Sequence, residues 1–199
     1  MKVEIQMTRI KSKFAETAVI AALTALTAIT TMLVRVPIPA TNGYFNIGDV
    51  FIILAGLWLG PRAGFIVGAF GSAIADAVGF PVYIPATFIV KGFEGWITGI
   101  IAGNSRSGSL VRPIIAALAG GLSMVAGYYL FEAFIYPMLG SKIPMFNITD
   151  PGAAFIALLP NAIQGMSGIA GGLALWKAMT ASSQDLEIGD DQPLSGKHG

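Results

Sequence analysis

Ionisable side chains interrupt several long apolar stretches of this sequence, and they are the residues best placed to do chemistry. Lys91 and Glu94 lie three residues apart in "YIPATFIVKGFEGWITGI", so a helix would bring them to one face. The pair can simply neutralise itself, or one member can meet a polar ligand or a facing helix. Because a charge inside a membrane is costly, each such residue is a candidate functional residue.

Two further polar groups lie in apolar surroundings. Asn161 and Gln164 follow Pro160 in "LLPNAIQG", again three residues apart. Buried amides usually hydrogen-bond across helices, but they also suit a ring that carries both donors and acceptors. Glu132 lies among aromatic residues in "GYYLFEAFIYP". An acid beside aromatic rings suggests stacking and hydrogen bonding to a small heterocycle.

Two aspartates mark the ends of apolar segments. Asp49 opens the second segment, where the positive end of the helix dipole would by itself favour a carboxylate. Asp76 closes the third segment, and a solvated acid at the membrane interface is as good an interpretation there as a ligand group. Both residues therefore have a structural as well as a functional interpretation.

The composition places all these residues in a membrane protein. Of 199 residues, 54% are hydrophobic and 12% are charged, with a mean hydropathy of +0.71, whereas soluble domains are about one quarter charged. A net charge of +1 provides no basic field for nucleic acid. The chain has no cysteine and one histidine, His198, so we expect no disulfide, no cysteine nucleophile and no metal site. It also lacks the G-x-x-x-x-G-K-[ST] motif that would bind ATP.

Six apolar segments predict an all-α integral membrane protein with six transmembrane helices. Most have about the 20 residues that a helix needs to cross a bilayer. They are residues 14–34, 47–59, 63–80, 84–103, 111–139 and 152–176. The second segment is too short to cross alone, so we expect neighbouring helices to shield it, or a water-filled cavity to border one end.

The breaks between these segments alternate in charge. One set contains eight basic residues, and the other contains only Arg35 and Lys142. By the positive-inside rule, both termini lie in the cytoplasm. We therefore expect a basic cytoplasmic N-terminus (1–13), one six-helix membrane domain (14–178) and a disordered cytoplasmic tail (179–199).

With this orientation, the polar candidates lie toward the outer half of the membrane, near outer loops rich in proline and aromatic residues. The arrangement indicates a pocket that opens to the outside. A channel would more plausibly repeat rings of charge along its path.

Small residues form stripes on three segments. Ala18 and Ala22 lie four apart in the first segment, which suits either internal packing or the docking of another membrane subunit. Stripes in the third and sixth segments indicate internal packing of helices, and they consist of Gly64, Gly68, Gly71, Gly165, Gly168 and Gly172.

The densest motif extends from Tyr44 to Gly103 and contains "YFNIGDVFIILAGLWLGPRAGFIVGAFGSAIAD" and "YIPATFIVKGFEGWITGIIAG". In these residues the chain resembles the substrate-binding S components of energy-coupling factor (ECF) vitamin transporters. It is most similar to the group with riboflavin-, hydroxymethylpyrimidine- and pyridoxine-type members, and the resemblance covers residues 14–178. It implies a six-helix fold that encloses a vitamin, with the loop 37–46 as a lid.

The resemblance also implies binding residues and partners. The binding positions that it assigns are Asn46, Asp49, Lys91, Glu94, Glu132, Asn161 and Gln164. Ala18 and Ala22 match the family's docking motif for the transmembrane coupling subunit (T component), and two cytoplasmic ATPases would supply the energy. A riboflavin-type member typically has an acidic, serine-containing stretch where this chain reads "FNIGD", and this difference favours a smaller pyrimidine or pyridine ring.

The leading hypothesis is therefore a non-enzymatic vitamin-binding subunit in the plasma membrane of a prokaryote, without a cofactor of its own. A self-sufficient secondary transporter or channel is the first alternative, and it would carry flux in liposomes alone. A small intramembrane enzyme that uses Glu132, or Lys91 with Glu94, as acid–base groups is the second, and it would show turnover.

Overall fold

Helices form wherever the sequence is continuously apolar, because a backbone in lipid must satisfy its own hydrogen bonds. A computed structural model of the protein describes residues 12–103, 110–140 and 151–190. Its helices are α1 (Lys13–Leu33), α2 (Asp49–Leu59), α3 (Pro61–Ala77), α4 (Ile84–Ala102), α5 (Val111–Leu130), α6 (Tyr136–Gly140) and α7 (Pro151–Asp190). A short 3₁₀ turn, Pro81–Tyr83, precedes α4, and a π-helical turn, Phe131–Ile135, joins α5 to α6.

The helices confirm the prediction of a helical membrane protein. By length and composition, four described stretches could cross a membrane: Lys13–Leu33, Pro81–Ala102, Val111–Gly140 and Gly152–Ser182. α2 and α3 are shorter, with 11 and 17 residues. The last helix continues to Asp190, beyond the domain boundary near residue 178 that the sequence predicted, and residues 191–199 lie outside the described part.

The short helix α2 lies at the centre of the bundle. It packs against α1, α3, α4, α5 and α7. Its residues from Ile52 to Leu57 are all buried. Neighbouring helices therefore shield α2 from lipid, as its length predicted.

Glycines bring the backbones of α3 and α4 into direct contact. A β-carbon on Gly95 would lie 2.1 Å from the carbonyl oxygen of Gly64, and one on Gly64 would lie 2.3 Å from that of Gly95. A β-carbon on Gly68 would lie 2.0 Å from the carbonyl oxygen of Lys91. The glycine stripe of the third segment is thus a helix-packing surface, as its spacing predicted.

A small β-hairpin replaces what the sequence indicated as a loop between the first two segments. Its strands β1 (Val36–Ile38) and β2 (Gly43–Phe45) pair antiparallel, with Val36 opposite Phe45. Asn42 in the turn has φ of 53°, a left-handed conformation that asparagine tolerates better than most residues. We call residues 36–45 the hairpin.

Arg35 attaches the start of the hairpin to the end of α3. Its guanidinium donates hydrogen bonds to the carbonyl oxygens of Ala75 and Val78 at the C-terminal end of α3. The same group lies 5.1 Å from the ring centroid of Tyr44 and 5.3 Å from that of Phe80. Arg35 therefore connects α1, the hairpin and α3.

Candidate functional site

A narrow cavity of about 20 Å³ lies beneath the hairpin, with room for roughly one or two water molecules. Residues from the hairpin and from nearly every helix around α2 contribute to its wall. They are Ile38, Gly43, Tyr44, Asn46, Asp76, Tyr83, Thr87, Tyr128, Glu132 and Asn161. The cavity is therefore assembled from segments that are far apart in the sequence.

Three of the seven binding positions assigned by resemblance line this cavity. Asn46 follows the hairpin, Glu132 lies in the π-helical turn, and Asn161 lies in α7 directly after Pro160. All three side chains are buried. They present amide and carboxylate groups to the same space.

The other four positions form a buried polar network behind the cavity wall. The Lys91 ammonium donates a hydrogen bond to Asp49 Oδ1 and lies 3.4 Å from Glu94 Oε2. Gln164 Nε2 donates to Asp49 Oδ2 at 3.0 Å. The interpretation of Lys91 and Glu94 as a pair is thus confirmed, with Asp49 as a third member that the spacing did not indicate.

The network reaches the cavity through Asn46. Gln164 Oε1 accepts a hydrogen bond from the Asn46 backbone amide at 2.8 Å and lies 3.4 Å from its side-chain nitrogen. Asn46 Oδ1 in turn accepts from the Gly48 amide at 2.8 Å and from Thr31 Oγ1 at 3.2 Å. One set of contacts therefore joins α1, α2, α4, α7 and the residue that follows the hairpin.

Asp76 is part of the cavity wall and is not a solvated interfacial acid. Its side chain is only 1% exposed, so the solvated alternative was wrong. The hydroxyl of Tyr44 donates a hydrogen bond to Asp76 Oδ1. Burial and the nearby Asp76 carboxylate raise the pKa of the Tyr44 phenol, so the phenol stays protonated and remains a donor to Asp76.

Tyr83 connects the turn of the hairpin to Glu132. Its hydroxyl donates to the carbonyl oxygen of Thr41 at 2.6 Å and lies 3.3 Å from Glu132 Oε1. The ring of Tyr83 packs edge-on against that of Tyr136, with centroids 5.4 Å apart. Tyr83 is not among the residues that the sequence singled out, although its position in the aromatic outer loop "GFPVYIP" was a usable signal.

The π-helical turn explains how Glu132 faces the cavity. A π turn inserts one extra residue into a helix and so changes the direction of the side chains that follow. Glu132 and Ala133 in this turn are buried, whereas Leu130 and Phe134 on either side are exposed. The regular helical period of the sequence does not reveal such a turn.

The wall of the cavity suits a polar ring that is neutral or positively charged. Phenol groups come from Tyr44, Tyr83 and Tyr128, amides from Asn46 and Asn161, and carboxylates from Asp76 and Glu132. Among the described residues that line it, none is basic. Two cations lie against residues of the wall: Arg35 is 5.1 Å from the Tyr44 ring centroid and Lys91 is 5.5 Å from that of Tyr128. Both already have acceptors, in the carbonyl oxygens of α3 and in Asp49.

The predicted docking residues lie in the N-terminal half of α1, and no described residue of α1 lines the cavity. Ala18 and Ala22 are both exposed on the outside of the bundle, together with Ala21 and Ala25. Exposure argues against internal packing of this stripe. It leaves a smooth helix face available to a second membrane protein.

Two comparisons with known proteins bear on this arrangement. A family model described as "ECF-type riboflavin transporter, S component" matches residues 11–181. A protein of Pyrococcus woesei, described as "Uncharacterized protein in gap 3'region", is 37% identical over 141 residues, which cover 70% of this chain and 84% of that protein. The family match includes every described helix from α1 through most of α7.

Proposed function

The chain belongs to the family of S components of ECF-type transporters, and from this premise we propose that it captures a vitamin from outside for ATP-driven uptake. The observation that carries the proposal is the match over residues 11–181, which includes all residues of the cavity wall. The protein then acts as a binding subunit and not as an enzyme.

The ligand that we propose is a vitamin or vitamin precursor of the hydroxymethylpyrimidine, pyridoxine or riboflavin class. All three carry ring nitrogens and hydroxyl groups, which suit the phenols, amides and carboxylates of the cavity wall. Tyr44, Tyr83 and Tyr128 also offer aromatic surface on which a heterocycle can stack. No described residue that lines the cavity is basic. We therefore expect a ligand that carries no carboxylate group.

The topology that we propose has six membrane-crossing helices and both termini in the cytoplasm of a prokaryotic cell, with the protein in its plasma membrane. Arg62 lies in the first turn of α3, and Arg112 in the first turn of α5 donates to the carbonyl oxygen of Ile101 near the end of α4. These basic residues lie at the helix ends away from the hairpin, which supports an outward-facing hairpin and cavity.

Tight binding by the isolated protein is the first test of this function. We expect nanomolar affinity for one of riboflavin, pyridoxine and 4-amino-5-hydroxymethyl-2-methylpyrimidine, measured by titration calorimetry in detergent. Asn161→Ala should weaken that binding about tenfold, because a lost polar contact costs about 1.4 kcal/mol. Ile163→Ala, on the exposed side of the same helix, is the matched control and should bind normally. Absence of binding to all three compounds would contradict the proposed ligand class.

The proposed partners are an ECF transmembrane T component and two cytoplasmic ATPases. We propose that Ala18 and Ala22 form the docking surface for the T component, since both are exposed and match the family's docking motif. The ATPases would supply the energy, in keeping with the lack of an ATP-binding motif in this chain.

A bulky residue on the alanine stripe should separate docking from ligand binding. We expect Ala22→Trp to reduce recovery of the T component and ATPases at least tenfold when the subunits are co-expressed and purified, because the side chain prevents close approach of helices. Leu122→Trp, at another exposed membrane position, is the control and should assemble normally. Equal recovery with both variants would place the docking surface elsewhere. Flux through the wild-type subunit alone in liposomes would instead favour a self-sufficient transporter.

A further inference from the structure

We propose that Asp49, Lys91, Glu94 and Gln164 are positioning residues, which hold Asn46 and the hairpin over the cavity without touching the ligand. The role replaces the direct ligand contact that the resemblance assigned to these four residues. It rests on the proposed function, because it assigns parts within that binding site.

All four residues lie outside the cavity wall. Among the described residues, the cavity wall includes Asn46 but none of these four. Each of the four is at most 2% exposed. A ligand in the cavity would therefore meet Asn46 and not the charged groups behind it.

The direction of its hydrogen bonds fixes how the Gln164 amide is turned. A carboxylate only accepts hydrogen bonds, so Gln164 must turn its amino group toward Asp49, at 3.0 Å. Its oxygen must then face Asn46, whose backbone amide donates to it at 2.8 Å. Lys91 holds Asp49 from the opposite side. The acceptor oxygen at residue 49 thus sets the orientation of Gln164, and this orientation allows Gln164 to accept from Asn46.

Asn46 holds the C-terminal end of the hairpin. It lies between β2 and α2, and its Oδ1 accepts hydrogen bonds from the Gly48 amide and from Thr31. On the α7 side, the hairpin borders an apolar crevice of about 220 Å³ that Phe45, Ile156 and Pro160 help to line. The contact from Asn46 to Gln164 therefore joins the end of the hairpin to α7 at the edge of an open gap.

Glu94 is the second carboxylate that forms an ion pair with the Lys91 ammonium. Its Oε2 lies 3.4 Å from Lys91 Nζ, on the helical turn that follows. The ammonium is thereby held between two carboxylates from α2 and α4. Lys91 Nζ also lies 5.5 Å from the ring centroid of Tyr128, a residue of the cavity wall.

Mobility of the hairpin in the ligand-free protein tests the proposal directly. The chain has no cysteine, so Ala40→Cys carries a single nitroxide label on the hairpin, and Leu118→Cys carries one on α5 as a reference. We expect Gln164→Met to increase the mobility of the label at residue 40, seen by electron paramagnetic resonance, and to leave the label at 118 unchanged. Asn161→Ala, one turn away in α7, should leave both labels unchanged. An immobile hairpin in Gln164→Met would overturn the proposal.

Ligand affinity of a paired variant provides the second test and covers the case in which Gln164→Met does not fold. Asp49→Asn with Lys91→Met removes the charges at residues 49 and 91 and leaves only the Glu94 carboxyl of the three charged groups. The new amide oxygen at residue 49 can still accept from Gln164. We expect its hairpin to stay immobile and its affinity to remain within about threefold of the wild type (less than 1 kcal/mol). A loss of affinity of a hundredfold with an immobile hairpin would show direct ligand contact by these residues and would overturn the proposal. If none of the three vitamins binds the wild-type protein, the proposed ligand class fails, whereas the hairpin measurement still decides the positioning role.

Discussion

Gly95→Ala is expected to lower the free energy of unfolding by about 3 kcal/mol, with loss of most folded protein at ordinary expression temperatures. The new β-carbon would lie 2.1 Å from the carbonyl oxygen of Gly64. The obstacle is helix backbone and cannot rotate away as a side chain can, so α3 and α4 must separate. In a bilayer no hydrophobic effect drives the two helices back together, and the lost close packing is not replaced.

The measurement is unfolding in mixed micelles of rising dodecyl sulfate content, followed by the fluorescence of the native tryptophans. Gly165→Ala is the matched control, because Gly165 is also a buried glycine within a helix. A β-carbon there would meet its nearest atom, Met124 Cε, at 3.4 Å, which is ordinary contact. Alanine is favoured over glycine in helices by about 1 kcal/mol, so this control should be neutral or slightly stabilised. Equal effects at both positions would mean that the backbone contact between α3 and α4 does not limit stability.

Lys91→Met is expected to lower the free energy of unfolding by about 3–5 kcal/mol. The ammonium holds the Asp49 carboxylate and lies 3.4 Å from Glu94 Oε2, and all three side chains are buried. Without it, two carboxylates would remain in a medium of low dielectric constant with no cation between them. The loss of stability therefore measures the free energy of burying carboxylates without a cation. It does not measure the net contribution of the ion pair to stability.

Two control variants separate this mechanism from a simple loss of packing. Lys177→Met makes the same change at an exposed position of α7, and it should change stability by no more than about 0.5 kcal/mol. Adding Asp49→Asn to Lys91→Met removes one of the stranded carboxylates and should recover most of the loss. If the paired variant were as unstable as Lys91→Met alone, charge compensation would not be the reason that Lys91 is needed.

Much of the fold could be predicted because the membrane restricts the choice of structure. The fourth and fifth predicted segments, 84–103 and 111–139, differ by one residue from the helix Ile84–Ala102 and from the continuous helix Val111–Gly140. The hairpin was not predicted, since "VPIPATNGYF" is rich in turn residues and each strand has only three residues. Strands this short leave no alternating pattern to detect.

The candidate site could be predicted by residue type and only partly by position. Glu132 and Asn161 stood out as polar residues in apolar segments, and both line the cavity. Tyr44 and Tyr83 did not stand out, because tyrosine is common at membrane interfaces for reasons unrelated to ligand binding. The inward direction of Glu132 depends on a π-helical turn that has no sequence signature.

The sequence by itself determined that this chain is a helical membrane protein, which segments become helices and which costly polar residues lie within them. Those properties follow from hydropathy and from spacing along a single helix. Only the tertiary structure decided that Lys91 meets Asp49, 42 residues away, and that Gln164 meets Asn46, 118 residues away. It also decided that Asn46 lines the cavity, whereas Asp49, Lys91 and Glu94 do not. The physical reason is that the rotation of each helix about its axis is set by close packing, here at glycine contacts such as Gly64 with Gly95.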